Sequence, residues 1–154
     1  MIYESLCEIE MKIQIINGPN LNLLGKRETD IYGNETLDDI KEWIEASENL
    51  EDHSLKWFQT NHEGEIIDNL HQALENNFDG IIINPGAYTH YSYAIRDAIS
   101  AIKIDTIEVH LSNIYDREEF RRNSVLKDVC LKQIVGQGKN GYLLAIRQFI
   151  HKTS

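Results

Sequence analysis

The sequence has little of what marks a secreted, membrane-spanning or nucleic-acid-binding protein. Its two cysteines, Cys7 and Cys130, form no Cys-x-x-Cys pair, so we interpret both as free thiols of a reducing cytosol. No apolar run approaches the roughly 18 residues that a membrane span needs. The formal net charge of -10 argues against general nucleic-acid binding, which needs a basic surface. The opening "MIYESLCEIE" has three glutamates and no basic start, so we expect no targeting signal and a cytoplasmic location.

The 154 residues are enough for one domain with its own core. Hydrophobic residues make up 42% of the chain and charged residues 26%, which is ordinary for a globular protein. Residues 1–10 are interpreted as an N-terminal extension. A single domain is predicted over residues 11–154.

Strand and helix patterns alternate along that domain. Nearly continuous apolar runs predict strands at 11–16, 54–60, 80–84, 105–111 and 130–136. Helical spacing of apolar residues predicts helices at 36–47, 64–76, 92–102 and 141–150, with a short helix over 117–123. The helix over 64–76 takes its apolar face from Ile66, Ile67, Leu70 and Leu74. The alternation predicts an α/β fold: a flavodoxin-like open parallel five-stranded sheet, order 2-1-3-4-5, with helices on both faces.

Three polar loops leave the carboxyl ends of predicted strands 1, 3 and 4, where such sheets bind ligands. They are "NGPNLNLLGKRETDIYG", "NPGAYTHYS" and "HLSNIYDREEFRR". Taken singly, their asparagines and glycines are typical turn formers, and a histidine or tyrosine there is more often a packing residue. The coincidence of three such loops favours a binding site. Its candidate residues are Asn20, Arg27, Tyr32, Asn84, His90, His110, Ser112, Arg117 and Arg121.

Glu108 and His110 stand two apart in a predicted strand, so their side chains point to the same face. A carboxylate that reaches an imidazole fixes its tautomer and favours the charged ring, as in a general acid or an acid–base relay. A purely structural contact at the rim of the sheet is the alternative.

Other chemistries match the sequence poorly. The glycines of "GQGKNG" fit G-x-G-x-x-G, but at the last turn of the fold and without a later acidic partner, so we interpret them as a tight turn. There is no phosphate-binding GxxxxGK[ST] loop and no G-x-S-x-G. "NHEGE" lacks the second histidine of a zinc motif, and no metal site is predicted. What remains is cofactor-free proton transfer on a polar small molecule.

A tyrosine can act as the base only as a phenolate. Lowering its pKa from about 10 by two to three units requires roughly 3–4 kcal/mol, which a neighbouring guanidinium can supply. Arg27 stands five residues before Tyr32 on the first loop. That loop, with Gly25 and Gly33 at its ends, could also close as a lid.

Five motifs resemble, in order and spacing, the type II 3-dehydroquinate dehydratase family. They are "INGPNLNLLGKRETDIYG", "NHEGEIIDNLHQA", "NPGAYTHYSYAIRDAI", "IEVHLSNIYDREEFRRNS" and "GQGKNGYLLAI", and they extend from Met11 to near Ile150. The resemblance implies the conversion of 3-dehydroquinate to 3-dehydroshikimate and water, the third step of the shikimate pathway towards chorismate and the aromatic amino acids. It implies an enolate intermediate and no metal, cofactor or Schiff base.

The resemblance also implies a role for each matching residue. Tyr32 is expected to be the base that removes a C2 proton, and His110 the acid for the departing C1 hydroxyl, supported by Glu108. Arg27 would lower the tyrosine pKa, and Asn20 would hold a water against the enolate oxygen. The expected substrate-binding residues are Asn84, His90, Leu111, Ser112 and Arg121. Asp97 is expected to reach a neighbouring subunit's site in a homododecamer, a tetramer of trimers.

Two alternatives from other classes remain at this point. One is a flavodoxin-like binding module that carries a flavin without turnover, although the first strand is followed by no phosphate-binding loop. The other is a structural assembly protein, which leaves the three converging polar loops unexplained.

Overall fold

The computed structural model describes residues 10–151, and at Tyr32 it describes the backbone alone. Cys7 and most of the predicted extension over residues 1–10 lie outside the described residues, so that boundary stays a prediction.

Five parallel strands form one sheet in the order β2-β1-β3-β4-β5. They are β1 (Lys12–Asn17), β2 (Ser54–Gln59), β3 (Gly80–Asn84), β4 (Thr106–His110) and β5 (Lys132–Val135). Every residue of β3 and β4 is buried, as expected for central parallel strands covered on both faces. Asn17 is in register with Asn84, so β1 and β3 end at the same level, where the strand order reverses. The predicted flavodoxin-like sheet is confirmed.

The helices are α1 (Thr29–Tyr32), α2 (Leu37–Ser47), α3 (Glu63–Glu75), α4 (Tyr93–Ile102) and α5 (Asn140–Ile150). The four longer ones confirm the predicted helices to within a residue or two. α2 begins with a capping box, in which Thr36 Oγ1 accepts the N–H of Asp39 at 3.1 Å and the Asp39 carboxylate accepts the N–H of Thr36 at 2.9 Å.

The core lies in two layers, one on each face of the sheet. α2 and α5 pack against one face, on side chains that include Ile15, Ile82 and Val109. α3 and α4 cover the other face, on Ile16, Ile81 and Ile83. Because successive strand residues point to opposite faces, Glu108 and His110, on either side of Val109, point towards the α3–α4 face.

One prediction about the helices was wrong, and another is confirmed over a shorter range. Leu74 is 50% exposed, because the buried stripe of α3 is centred on Ile66, Leu70 and Ala73. At 3.6 residues per turn Leu74 lies about 80° from Ile66 and falls at the edge of that stripe. The short helix predicted over 117–123 is present as a 3₁₀ helix over four of these residues (Glu119–Arg122), and its one apolar residue, Phe120, is exposed.

Gly80 makes one close approach on which the packing of the sheet depends. A Cβ at this position would lie 2.7 Å from the ring of Phe149, which is itself buried. Gly80→Ala is therefore expected to lower the free energy of unfolding by about 1–3 kcal/mol through overpacking. Urea denaturation measures this change.

Gly64→Ala is the matched control, because a Cβ there meets no heavy atom within 4 Å. It lies in the first turn of α3 and is expected to raise stability by up to about 1 kcal/mol. Equal effects of the two substitutions would contradict the packing argument.

Candidate active site

The three polar loops meet in one cleft at the carboxyl ends of β1, β3 and β4. Nine of the predicted site residues line it: Asn20, Arg27, Asn84, His90, His110, Leu111, Ser112, Arg117 and Arg121. Glu108 is fully buried behind His110. Asp97 is exposed on α4 and does not line this cleft. The side chain of Tyr32 lies outside the described residues.

The loop after β1 is anchored at its first half. Leu21 and Leu24 are buried in the core below the cleft. The N–H of Gly18 donates to the carbonyl of Asn84 at 2.7 Å, which joins the first loop to the second. A Cβ at Gly18 would lie 2.6 Å from the carbonyl oxygen of Pro85, so this approach requires glycine. The anchored half places Asn20 at the mouth of the cleft.

The second half of this loop carries Arg27 and the one-turn helix α1. The Arg27 guanidinium lines the cleft, is 34% exposed, and lies 2.9 Å from the Glu28 carboxylate. Gly25 and Gly33 bracket this half, both with positive φ, 83° and 80°. The backbone of Tyr32 ends α1, five residues after Arg27. The roles of Tyr32 as base and of the loop as lid remain predictions.

Glu108 and His110 make the carboxylate–imidazole contact predicted from their spacing. His110 Nε2 lies 2.6 Å from Glu108 Oε2, and the two side chains are almost wholly buried. A carboxylate oxygen only accepts, so Nε2 carries the hydrogen. The ring is thereby fixed with Nδ1 as the nitrogen that can exchange a proton with a ligand.

The carboxylate of Glu108 is held by hydroxyl groups that sequence reasoning missed. Thr89 donates to Oε2, and Ser124 donates to Oε1 at 2.9 Å and to Oε2 at 3.0 Å. Burial by itself would raise the pKa of Glu108, but the hydrogen bonds from His110, Thr89 and Ser124 outweigh it and lower the pKa below its ordinary value. Glu108 is therefore a carboxylate at neutral pH.

His90 is the second imidazole of the cleft. Its Nδ1 lies 2.8 Å from the carbonyl oxygen of Asn123, so Nδ1 donates and Nε2 is left as an acceptor. Burial lowers the pKa of His90, and the charges of His110 and Arg121 lower it further. A neutral imidazole that accepts a hydrogen bond suits a ligand hydroxyl.

Tyr142 supports the cleft from below, and it also went unnoticed in the sequence. Its hydroxyl, fully buried in α5, donates to the Asn17 side chain and accepts from Asn84 Nδ2 at 3.1 Å. Burial raises the pKa of Tyr142, so the hydroxyl keeps its proton. Asn17, the first asparagine of a stretch whose asparagines are typical turn formers, is thus part of a buried network that orients Asn84.

Cationic groups face the cleft although the protein is acidic. Arg27, Arg117 and Arg121 all line it, and Arg121 Nε also lies 2.5 Å from a Glu118 carboxylate oxygen. Guanidinium groups at a concave, partly dehydrated surface favour an anionic ligand, for which a carboxylate is the natural match.

Residues 10–151 lack two further kinds of feature. They hold no cluster of three His, Cys, Asp or Glu side chains that could bind a metal ion. No helix in this range has the length and apolar character of a membrane span. Cys130 forms no disulfide here, and burial raises the pKa of its thiol to about 12, which makes it unreactive.

The strand order and the cleft at its reversal define a flavodoxin-like α/β protein whose polar cleft contains a buried Glu–His pair. The amino-acid sequence of this chain is similar to those of known proteins along nearly its whole length. Residues 11–150 match the family described as dehydroquinase class II. A 3-dehydroquinate dehydratase of Clostridium beijerinckii is 57% identical over 89% of this chain and 94% of its own length. A 3-dehydroquinate dehydratase of Caldicellulosiruptor saccharolyticus is 59% identical over 88% of this chain and 93% of its own length.

Solved structures agree with these relatives. A type II dehydroquinase of Butyrivibrio crossotus is 52% identical and superposes with a TM-score of 0.88 over 93% of this chain and 99% of that one. The chain belongs to the class II dehydroquinase family. The family and the enzyme class predicted from the motifs are thereby confirmed. The comparisons do not support the flavin-binding or the structural alternative.

Proposed function

We propose that this chain dehydrates 3-dehydroquinate to 3-dehydroshikimate through an enolate. The Glu108–His110 ion pair carries the proposal, because it presents one imidazole nitrogen to a cleft whose guanidinium groups suit a carboxylate. The names of its relatives support the substrate. The family resemblance implies a place for this reaction in the biosynthesis of chorismate and the aromatic amino acids.

The proposed reaction begins with proton removal. Tyr32, as a phenolate, takes a proton from C2, and the electron pair moves onto the carbonyl oxygen as an enolate. The positive charge of Arg27 keeps the phenol ionised, and Asn20 holds a water that donates to the enolate oxygen. Both Asn20 and Arg27 line the cleft, which supports these assignments.

The second half of the reaction expels the C1 hydroxyl. The enolate re-forms the carbonyl, the C1–O bond breaks, and His110 gives its Nδ1 proton to the departing oxygen as water forms. Glu108 stabilises the imidazolium before this transfer. Asn84, His90 and Arg121 orient the substrate, and the Leu111–Ser112 backbone binds its carboxylate. The position of these residues around one cleft supports their roles.

An absorbance assay tests the activity. Incubating the purified protein with 3-dehydroquinate should produce the ultraviolet absorbance of a conjugated enone, with no added metal or coenzyme. A well-folded oligomer that produces no signal, or a yellow protein that retains flavin, would refute the proposal.

The family resemblance also leads us to propose a cytoplasmic homododecamer in which Asp97 contributes to a neighbouring site. Asp97 is exposed on α4, and Tyr91 and Tyr93 beside it are 59% and 66% exposed, which supports a covered surface here in the assembly. Analytical ultracentrifugation tests the assembly. A monomer at micromolar concentration would contradict it.

A further inference from the structure

Ser124 lies 16 residues after Glu108, beyond the part of the loop that lines the cleft, yet its hydrogen bonds lead to the acid–base pair. Its hydroxyl accepts the N–H groups of Leu126 at 3.2 Å and Lys127 at 3.1 Å. These two donors fill both lone pairs of the oxygen. The single hydroxyl proton then has two acceptors within reach, the Glu108 carboxylate at 2.9 Å and 3.0 Å and Thr89 Oγ1 at 3.0 Å. Thr89 gives its own proton to Glu108, and the charged carboxylate is the stronger acceptor, so the Ser124 proton points to Glu108.

The two oxygens of that carboxylate have different partners. Oε2 receives His110 Nε2–H and the hydroxyl of Thr89, and it is also 3.0 Å from Ser124 Oγ. The hydrogen bond to Oε1, within residues 10–151, comes from Ser124. Ser124 thus fixes the rotation of the carboxylate about its own axis, and with it the direction in which Oε2 faces His110.

Ser124 is itself held firmly, because its neighbours are tied to the loop after β3. The N–H of Val125 donates to the carbonyl of Thr89 at 2.8 Å, and Arg96 donates to the Val125 carbonyl at 2.7 Å. On the other side, the carbonyl of Asn123 accepts from His90. Residues 123–125 therefore form a short strap that sets the orientation of both imidazoles in the cleft.

We propose that Ser124 is a positioning residue for the acid: its hydroxyl holds Glu108 so that His110 keeps its Nε2–H tautomer and presents Nδ1 to the substrate. This inference rests on the proposed dehydratase function.

The loss of the Ser124 hydroxyl should shift the pH dependence of kcat in a direction that can be tested. Burial raises the pKa of Glu108, while His110, Thr89 and Ser124 lower it, so losing the Ser124 hydroxyl is expected to raise that pKa. Other titratable or charged groups near the pair are His90, Arg121 and the Cys130 thiol, which is un-ionised at neutral pH. A protonated Glu108 no longer supports a charged imidazole, so the acidic limb of the kcat profile should move to higher pH.

The test compares Ser124→Ala with Ser124→Thr and with Ser92→Ala. Ser92 has the same chemistry elsewhere: its hydroxyl accepts the N–H of Ile95 at 3.1 Å and donates to Glu63 at 2.6 Å. In Ser124→Ala, kcat should fall roughly tenfold, as expected for one hydrogen bond to a charged group, with KM changed less than twofold. The acidic limb should shift upwards, and ¹⁵N NMR should show that the neutral His110 ring gains Nδ1–H tautomer.

The control variants distinguish an effect on the orientation of the Glu108–His110 pair from a general loss of protein stability. Ser124→Thr keeps the hydroxyl and should restore the pH profile and the tautomer. Ser92→Ala should lose stability while its pH profile stays that of the wild type. If Ser124→Ala does not fold, Ser124→Cys, which replaces the hydroxyl by a weaker donor, is expected to change both readouts in the same direction by less.

Two outcomes overturn different claims. A lower melting temperature with unchanged pH profile and tautomer in Ser124→Ala would show that Ser124 only caps a turn, and the inference would fail. Wild-type protein without dehydratase activity would contradict the proposed function instead. In that case the NMR tautomer of His110 still decides whether Ser124 positions the pair.

Discussion

Tyr32→Phe is expected to abolish turnover of 3-dehydroquinate while leaving its binding nearly unchanged. Only the hydroxyl is lost, and without a base the C2 proton has no acceptor, so kcat should fall by about 10³-fold or more. The aromatic ring of phenylalanine has the same size as that of tyrosine. Steady-state kinetics measures the loss of turnover, and calorimetry with 3-dehydroquinate measures the binding.

Tyr115→Phe is the matched control for this change, since it removes a hydroxyl from a tyrosine that does not line the cleft and whose hydroxyl donates to Gln133. Its kcat should equal that of the wild type. A Tyr32→Phe enzyme with more than a tenth of wild-type kcat would show that another group removes the proton, and the proposed mechanism would have to be abandoned.

His110→Gln is expected to lower kcat by about 10²- to 10⁴-fold through loss of the general acid. The glutamine amide can still donate to the buried Glu108 carboxylate, so the substitution leaves that charge with a partner. Because Tyr32 is intact, the variant should still exchange the C2 proton of 3-dehydroquinate with deuterium from the solvent. Proton NMR follows this exchange, which should be absent in Tyr32→Phe.

The control is His71→Gln, an exposed histidine on α3 that lies outside the cleft. It should retain full activity. If His110→Gln lost exchange and turnover together while still binding substrate, His110 would belong to the proton-removal step and the assignment of acid and base would be wrong.

Much of the fold follows from local sequence. "GIIIN" predicts a buried central strand because four apolar or small residues in succession need cover on both faces, and the structure buries all five. Thr36 and Asp39 mark the start of α2 because the capping box is complete within four residues. Leu74 shows the limit of such prediction. The spacing of apolar residues indicates which side of a helix is buried, but not how far around the helix the buried surface extends.

The site was predictable where chemistry and spacing coincide. Glu108 and His110 are two residues apart in a strand, so their contact follows from the period of the strand. The supporting groups could not be found in this way. Serine and threonine are common in loops, and nothing local connects Thr89 or Ser124 to a carboxylate many residues away. Tyr142 and Asn17, 125 residues apart, meet only through the finished fold.

The contact between Tyr142 and Asn17 has a consequence for when the cleft is completed during synthesis and folding. Synthesis runs from the N-terminus, so the amides of Asn17 and Asn84 leave the ribosome well before the phenol that joins them. Until α5 docks, both amides lack this partner and the floor of the cleft is incomplete. The proposed activity therefore depends on the docking of α5, the last helix of the domain. A nascent chain that ends before α5 contains His110 but lacks the Tyr142 hydroxyl that orients Asn17 and Asn84 below the cleft.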